Sequence, residues 1–395
     1  MTGSKRNRAI ETIQRQADSL LGYEIFRDWI EKTGSIGETE TGGVTRLAFG
    51  YEDLTIRERV ISIMRSDLGL EVQIDAWGNI IAHRPGKPSK KGNLMAGSHL
   101  DTVRNGGKFD GAAGVFCALE VIRLFNTLDI WTDHPLEVIV FAAEEANQSG
   151  ISTIGSRGVS GRLKKESLAS FRDDQGVPLF EAIEKAGGKP AEMDRTIYQP
   201  GDVKAYLEIH NEQMTRLEKA GIDLGIVTGV TGIRRRRFTV TGTTGHGGTI
   251  PMQERQDALV AAASIISAVK SIATESGGDT VATVGHIKVE PNSVNVVPGR
   301  VDLEMEIRSY IPEEIDRIDQ RVFDAAKACE EQFGVQIERG DTTYDNTPRE
   351  FSPLVRNALQ KSCESLGYSS LDLVSMAGHD AYHMSYVTES GMIFV

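Results

Sequence analysis

The residues of this chain with the most chemical potential are imidazoles and carboxylates that fall where apolar runs stop. His99-Leu100-Asp101 follows the run 93–98, Glu144-Glu145 follows the run 136–143, and Glu208-Ile209-His210 ends another apolar stretch. Asp110-Gly111 opens a small-residue segment, 111–125, that reads as a helix, so its carboxylate sits at the positive end of a helix dipole. Each feature alone is ordinary. A histidine at a strand end is usually structural, a Glu-Glu pair usually faces solvent, and Asp-Gly is a common cap. Their coincidence at successive strand ends points to a divalent-metal site, for which imidazole and carboxylate are the standard ligands. The His-x-Asp spacing lets Asp101 orient the His99 ring. His83, His134 and His286 lack such company and read as structural or solvated, and Cys117 reads as core.

The elements that must position these groups follow from apolar periodicity. Ile10, Ile13, Ala17, Leu20 and Leu21 recur at helical spacing, and the pattern returns over 57–70. Residues 72–76 and 79–82 flank a Gly78-Asn79 turn as a hairpin. Short strands at 93–98 and 136–143 then alternate with the helix 111–125, which implies an α/β sheet with its ligand site beyond the carboxyl ends of the strands. The character changes at Gly229-Val230-Thr231-Gly232. Four arginines, 234–237, read there as a solvated face. The strand signal Phe238-Thr239-Val240-Thr241 precedes a helix over 257–271, strands over 280–289 and 300–308, a helix over 313–333, a strand over 335–339 and a turn-rich stretch 341–353. That β-α-β-β-α-β order describes a ferredoxin-like sandwich of roughly 110 residues. Helix-then-strand alternation resumes over 354–395. The expected architecture is a discontinuous α/β domain, 1–229 and 346–395, interrupted by an α+β module at 230–345.

Composition narrows the function classes. The chain has 395 residues, with 44 basic against 56 acidic side chains for a net charge of −12. That sign disfavours non-specific nucleic-acid binding. Uninterrupted apolar runs such as 138–143 are far shorter than the ~18 residues of a membrane span, and no signal-peptide core follows the basic N-terminus. Three scattered cysteines exclude a disulfide framework or a cysteine-rich zinc finger and fit a reducing cytoplasm. No Gly-x-Ser-x-Gly elbow, Walker loop or dinucleotide fingerprint occurs, which weakens serine hydrolase, nucleotide hydrolase and dehydrogenase readings.

The stretch Gly97-Ser98-His99-Leu100-Asp101-Thr102-Val103 with Gly106-Gly107-Lys108-Phe109-Asp110-Gly111 resembles the metal-dependent amidohydrolases that act on N-carbamoyl compounds. These include allantoate amidohydrolase, N-carbamoyl-L-amino acid hydrolase and β-ureidopropionase, relatives of the co-catalytic zinc aminopeptidases and carboxypeptidases. The resemblance continues in order through Phe141-Ala142-Ala143-Glu144-Glu145, Gly155-Ser156-Arg157, Leu207-Glu208-Ile209-His210 and Gly245-His246-Gly247-Gly248-Thr249. It then runs through Asn295-Val296-Val297-Pro298-Gly299-Arg300, Ile307-Arg308-Ser309 and Ala377-Gly378-His379-Asp380-Ala381. It implies a catalytic domain of the zinc-exopeptidase type with an inserted lid and dimerisation domain, and a homodimer. It also implies two divalent ions per subunit, zinc or manganese and in some members cobalt or nickel. By the same resemblance His99, Asp110 and His210 hold one ion, and Asp110 bridges to a second that also takes Glu145. Glu144 is the general base, Asp101 supports His99, and His246 stabilises the oxyanion. Gln213, Asn295, Arg308 and His379 bind the substrate carboxylate or carbamoyl group. The implied reaction is hydrolysis of a carbamoyl C–N bond, the alternatives being a dipeptidase or N-acyl amino acid hydrolase with the same metals, or a silent homologue that binds a small carboxylate.

Three departures bear on that expectation. Asn211-Glu212-Gln213-Met214 stands where the resemblance implies an apolar residue and then Glu-Gln-Gly, and Met376 replaces a glycine before Ala377. Relatives also continue past the strand matching 391–395 into a loop whose histidine completes the second metal site. The expectation is therefore either a truncated sequence or a one-metal or impaired site in which the second ion binds weakly, with His383 a poor substitute.

Overall fold

A computed structural model describes residues 17, 19–87, 92–146, 150–173 and 175–395. The chain opens with helices α1 (Tyr23–Gly34) and α2 (Tyr51–Ser62), then the hairpin β1 (Glu71–Ile74) and β2 (Ile80–Arg84). Ile10 and Ile13 lie outside the described residues. The hairpin turn is fixed by Asp75, whose carboxylate accepts hydrogen bonds from the amides of Trp77 and Asn79 and from the Asn79 side chain. Gly78 sits at φ 89°, a left-handed conformation that glycine adopts without steric cost.

Next come β3 (Asn93–His99), α3 (Ala112–Thr127), β4 (Leu136–Phe141), α4 (Ile154–Val159), α5 (Leu179–Lys185), β5 (Val203–His210), α6 (Arg216–Ala220) and β6 (Leu224–Val230). A second stretch holds β7 (Gly232–Thr241), β8 (Gly245–His246), α7 (Ala258–Ser276), β9 (Val281–Glu290), β10 (Val296–Val297), β11 (Arg300–Ser309), α8 (Pro312–Phe333), β12 (Gln336–Asn346) and β13 (Arg349–Glu350). The chain ends with α9 (Pro353–Leu366), β14 (Ser370–Ser375), α10 (Asp380–Met384) and β15 (Glu389–Phe394). Contacts divide it into two compact units. One comprises the described residues up to Thr228 with Phe351–Leu373 and His379–Val395, the other Gly229–Glu350 with Val374–Gly378.

In the first unit the sheet runs β1-β2-β4-β3-β5-β15-β6, with β14 also paired to β6. The strands β4, β3, β5 and β15 are mutually parallel, so their carboxyl ends share one edge. Parallel strands are covered on both faces, which is why β4 reads as the unbroken apolar run Val138 to Phe141. Helix α3 lies close because it is built of small residues. A Cβ on Gly114 would fall 2.2 Å from the Ile209 carbonyl oxygen. Trp29, Ile56, Val60, Phe116, Leu119, Val138 and Val140 form the core beside it. Each such side chain contributes roughly 1.5–3 kcal/mol on burial.

In the second unit the antiparallel sheet β12-β7-β11-β9 packs its apolar side, including Phe238, Val240, Leu303 and Met305, under α7 and α8. This is the order of a ferredoxin-like sandwich. Asp257 caps α7, accepting from the amides of Leu259 and Val260. By length and composition α7 is apolar enough to span a membrane, yet Ala261, Ile265, Val269 and Ile272 are buried in this core.

Two expectations are corrected. The strand expected over 335–339 continues to Asn346, taking in part of the turn-rich stretch. Register shifts between Arg339 and Thr342 and between Thr342 and Tyr344 let β12 stay paired with β7 through polar sequence. The arginine run is not one solvated face either. It lies inside β7, where alternation sends neighbours to opposite sides. Arg236 and Arg339 donate to the buried Asp319 carboxylate at 2.7 and 2.6 Å, and Arg234 reaches Asp316 and Asp345. Arg235 and Arg237, one pleat over, pair with Glu306 and Glu304 on β11.

Candidate metal centre

The strand ends deliver the candidate ligands to one place in the first unit. His99 closes β3, His210 closes β5, and Asp110 precedes α3. One ligand atom from each of these three residues lies within 4.8 Å of the others. His210 Nε2 stands 3.3 Å from Asp110 Oδ1. Backbone acceptors turn both rings: His99 Nδ1 meets the Asp101 carbonyl oxygen at 2.9 Å, and His210 Nδ1 meets that of Asn211 at 3.0 Å. Each ring therefore turns its Nε2 toward the carboxylates, the arrangement that outer hydrogen bonds impose on metal-binding histidines. Gly111 makes room for this. At φ 65° it sets the start of α3, and a Cβ there would lie 2.5 Å from the His99 ring.

Glu144 and Glu145 follow β4 through Ala143, a non-glycine residue held at φ 53°. Strain of this kind persists where the surroundings over-determine the backbone. Here the Ala143 and Glu144 carbonyls accept from Ile154 and Thr153, and the amides of Glu144 and Glu145 donate to the Asp101 carboxylate at 3.3 and 3.0 Å. Glu144 is buried, with Oε2 3.7 Å from His99 Nε2. Glu145 is half-buried and joins neither ligand group found among the described residues. Gln213, at φ 59°, donates its side-chain amide to both oxygens of Asp110, at 3.0 and 2.9 Å. Met214 beside it is half-exposed. His379 is buried, its ring 4.6 Å from that of His210, and it forms a second potential ligand group with Glu208 and His210.

Glu208 and Asp380 enter the site without having been assigned roles from the sequence. Glu208 is buried and accepts from the Ser98 hydroxyl at 2.7 Å and the Ala381 amide at 2.8 Å. The available signal was a carboxylate inside an apolar strand. Asp380 is fully buried, with the buried Ser156 hydroxyl the one side-chain donor that faces its carboxylate among the described residues. His383 is buried in α10, outside both ligand groups.

The remaining sequence candidates lie in the second unit. His246 and Asn295 are neighbours and both exposed: β8 pairs with β10 at His246 and Val296, and the Gly247 amide donates to the Asn295 carbonyl at 2.7 Å. Arg308 donates Nε to Glu306 at 2.7 Å and Nη1 to the Met376 carbonyl at 2.7 Å.

The donor set fits a divalent cation. Burial, and then the neighbouring carboxylates, push Glu144 and Asp380 well above the usual carboxylate range. Burial and then Asp53 raise Asp101 to about 7. Burial holds His379 and His210 below the ordinary imidazole value, in the neutral form that binds metals. Packed, buried carboxylates beside neutral imidazoles are costly without a cation, and a divalent ion relieves that cost.

The model of Peptidase family M20/M25/M40 matches residues 95–395. An N-carbamoyl-L-amino acid amidohydrolase of Geobacillus stearothermophilus is 38% identical over 362 residues, 92% of this chain and 88% of the relative. An allantoate amidohydrolase of Bacillus subtilis is 31% identical over 371 residues, 93% and 88% of the two chains. Among solved structures, a hydantoinase/carbamoylase-family amidase from Burkholderia multivorans aligns with a TM-score of 0.83 at 30% identity, over 94% of this chain and 89% of its own. The clustered strand-end ligands and these likenesses agree, and the chain belongs to Peptidase family M20/M25/M40, whose members depend on divalent metal.

Proposed function

We propose that this chain hydrolyses the ureido C–N bond of an N-carbamoyl amino acid or an allantoate-like ureido acid, releasing the amine, ammonia and carbon dioxide. The observation that carries the reading is the cluster of His99, Asp110 and His210 with the buried Glu144 carboxylate 3.7 Å from the His99 ring. Relatives named for N-carbamoyl-L-amino acid and allantoate hydrolysis support that chemistry.

In this reading His99, Asp110 and His210 hold one divalent ion, and Asp110 with Glu145 serves a second, zinc or manganese being the first choices. When bound, such ions polarise the ureido carbonyl and acidify water within their reach. Glu144 takes the proton of the attacking water and returns it to the leaving nitrogen, so the C–N bond breaks as N–H forms. The products are the free amine and carbamate, which decays to ammonia and carbon dioxide. Asp101 holds the Glu144–Glu145 turn, and Gln213 steadies Asp110. Arg308 grips the substrate carboxylate, with Asn295 and His379 as hydrogen-bonding partners, and His246 donates to the oxyanion.

The second unit acts as lid and dimerisation module of a cytoplasmic homodimer. In support, β9 closes its sheet as an edge strand, and the outward face of α7 carries Leu259 and Val260 exposed.

The test is ammonia release by purified protein supplied with zinc or manganese. Turnover is expected on N-carbamoyl-L-amino acids or allantoate, and no amino acid release from dipeptides. Release from dipeptides with no ureido turnover would refute the assignment.

A further inference from the structure

The loop that carries His99 and Asp101 is anchored from behind by one buried arginine. Arg46 is 1% exposed. Its amide donates to the Thr102 hydroxyl at 2.9 Å, and its carbonyl accepts the Thr102 amide at 2.9 Å. Its side-chain Nε donates to the Leu100 carbonyl at 2.8 Å, and Nη1 reaches the carbonyls of Thr33 and Ile36 at the end of α1. Two residues earlier, Val44 and Gly106 exchange both main-chain hydrogen bonds. The segment 44–46 thus runs antiparallel to 102–106 and holds the middle of the His99-to-Asp110 connection.

The side chain adds what the backbone pairing cannot. Among the described residues the hydrogen bonds of the guanidinium all go to main-chain carbonyls, and Nη2 is buried without a partner. The charges that reach it are Asp53 and Asp101. Burying a cation that is bonded only to carbonyls costs several kcal/mol by the usual accounting. A neutral side chain of equal volume would fill the space more cheaply, so packing alone does not explain an arginine here. The Leu100 carbonyl lies between His99 and Asp101, and Asp101's own carbonyl sets the His99 ring. Fixing Leu100 therefore fixes the peptide units that aim the imidazole.

We infer that Arg46 is a positioning residue for the metal centre, clamping the Leu100 peptide so that the Asp101 carbonyl and the His99 ring keep ligand geometry. This rests on the reading of His99 as a metal ligand, and the experiment separates the two. Three variants are compared with the parent chain: Arg46→Lys, which keeps charge but lacks the fork that spans Leu100 and Thr33; Arg46→Met, which keeps the stem; and Arg84→Met. Arg84 is also buried and also donates to a backbone carbonyl, that of Ile130, and to Asn126, so it controls for the cost of losing any buried arginine.

Zinc affinity is measured by competition with a chromophoric chelator, and amide hydrogen exchange is followed over 99–106 in the metal-free proteins. Arg46→Lys is expected to bind zinc about 10-fold or more weakly, in the range seen when outer partners of a metal ligand are removed. Faster exchange confined to 99–106 should accompany it. Arg84→Met should keep parental affinity. Parental affinity and exchange in Arg46→Lys would overturn the inference, as would equal losses in Arg84→Met. If Arg46→Met does not fold, the lysine variant still decides. A parent that binds no zinc refutes the ligand assignment, and the exchange data then judge the clamp by themselves.

Discussion

Asp101 meets His99 through its main chain. The His99 Nδ1 atom lies 2.9 Å from the Asp101 carbonyl oxygen but 3.8 Å from its carboxylate. The carboxylate turns instead to the amides of Glu144 and Glu145. One residue therefore serves two strand ends, orienting the imidazole after β3 with its backbone and the glutamate pair after β4 with its side chain.

That division of labour gives a first prediction. Asp101→Asn leaves the carbonyl on His99 intact but offers one acceptor oxygen where the turn uses two. Zinc affinity should stay within about threefold of the parent, while kcat falls about 10–100-fold, the usual cost of a lost outer partner. A chelator titration beside steady-state kinetics measures both. A large loss of affinity with unchanged kcat would place the role of the side chain on His99 instead.

Glu144 is the only one of the glutamate pair that is buried against His99, so it carries the second prediction. Glu144→Gln keeps shape and hydrogen-bonding capacity but cannot accept a proton. Turnover of N-carbamoyl substrates should fall about 10²–10⁴-fold with metal content unchanged, as expected when a general base is removed. Metal analysis of the same preparation is essential, because a variant that loses its ions would be inactive for a different reason. Parental turnover would remove Glu144 from the mechanism.

Removing metal should make stability fall with pH. In the metal-free protein Glu144 and Asp380 hold their protons far above the usual carboxylate range, because burial and mutual repulsion penalise the charge. Their native pKa values thus lie above the unfolded ones. The stability that these bound protons represent is fully present below the unfolded pKa, near 4, and is lost as pH rises toward the native values. Histidines complicate the lower part of that range. His379 and His383 are held neutral by burial and oppose the trend below about 6.5, where the unfolded imidazoles take up protons. Above pH 7 that opposition is gone. With both carboxyl shifts upward, the Tm of chelator-treated protein should therefore fall as pH rises past the range where the histidines oppose it, while zinc-loaded protein stays flatter and the gain on loading grows with pH. Parallel Tm curves for the two forms would contradict this account.

Much of this site was legible because strands end abruptly in apolar sequence. The positions of His99, Glu144 and His210 follow from counting to the end of β3, β4 and β5, and the helix after Asp110 follows from its small residues. What was not legible depends on which atom makes a contact. His-x-Asp spacing says that Asp101 is near His99, but the choice between carbonyl and carboxylate is decided by Ala143 and the turn that brings two amides to the side chain. Arg46 was invisible for a related reason: its partners are carbonyls, which leave no trace in residue types. The arginine run on β7 was misjudged because its partner Asp319 lies on α8, more than 80 residues away. Charge clustered in sequence is split by the pleat into two separate networks.

Arg308 is the last prediction, because its environment separates binding from chemistry. Nε is held by Glu306, whose other carboxylate oxygen takes Arg235, and Nη1 is held by the Met376 carbonyl. The guanidinium is thereby aligned by two neighbours before any substrate arrives, which lowers the entropy lost when it grips a carboxylate. A lysine at this place has one charged tip and cannot satisfy Glu306 and the Met376 carbonyl while still presenting a planar fork. Arg308→Lys should accordingly raise KM for an N-carbamoyl amino acid by about 10–100-fold, the loss expected for a charge-assisted pair worth about 1.5–3 kcal/mol, with kcat changed far less. Glu306→Gln should raise KM in the same direction by a smaller factor, since it loosens the arginine without removing it. If Glu306 acts through the arginine in this way, combining the two changes should cost less than the product of the single effects. A full product would mean that Glu306 and Arg308 contribute independently, and a fall in kcat alone would move Arg308 out of substrate binding.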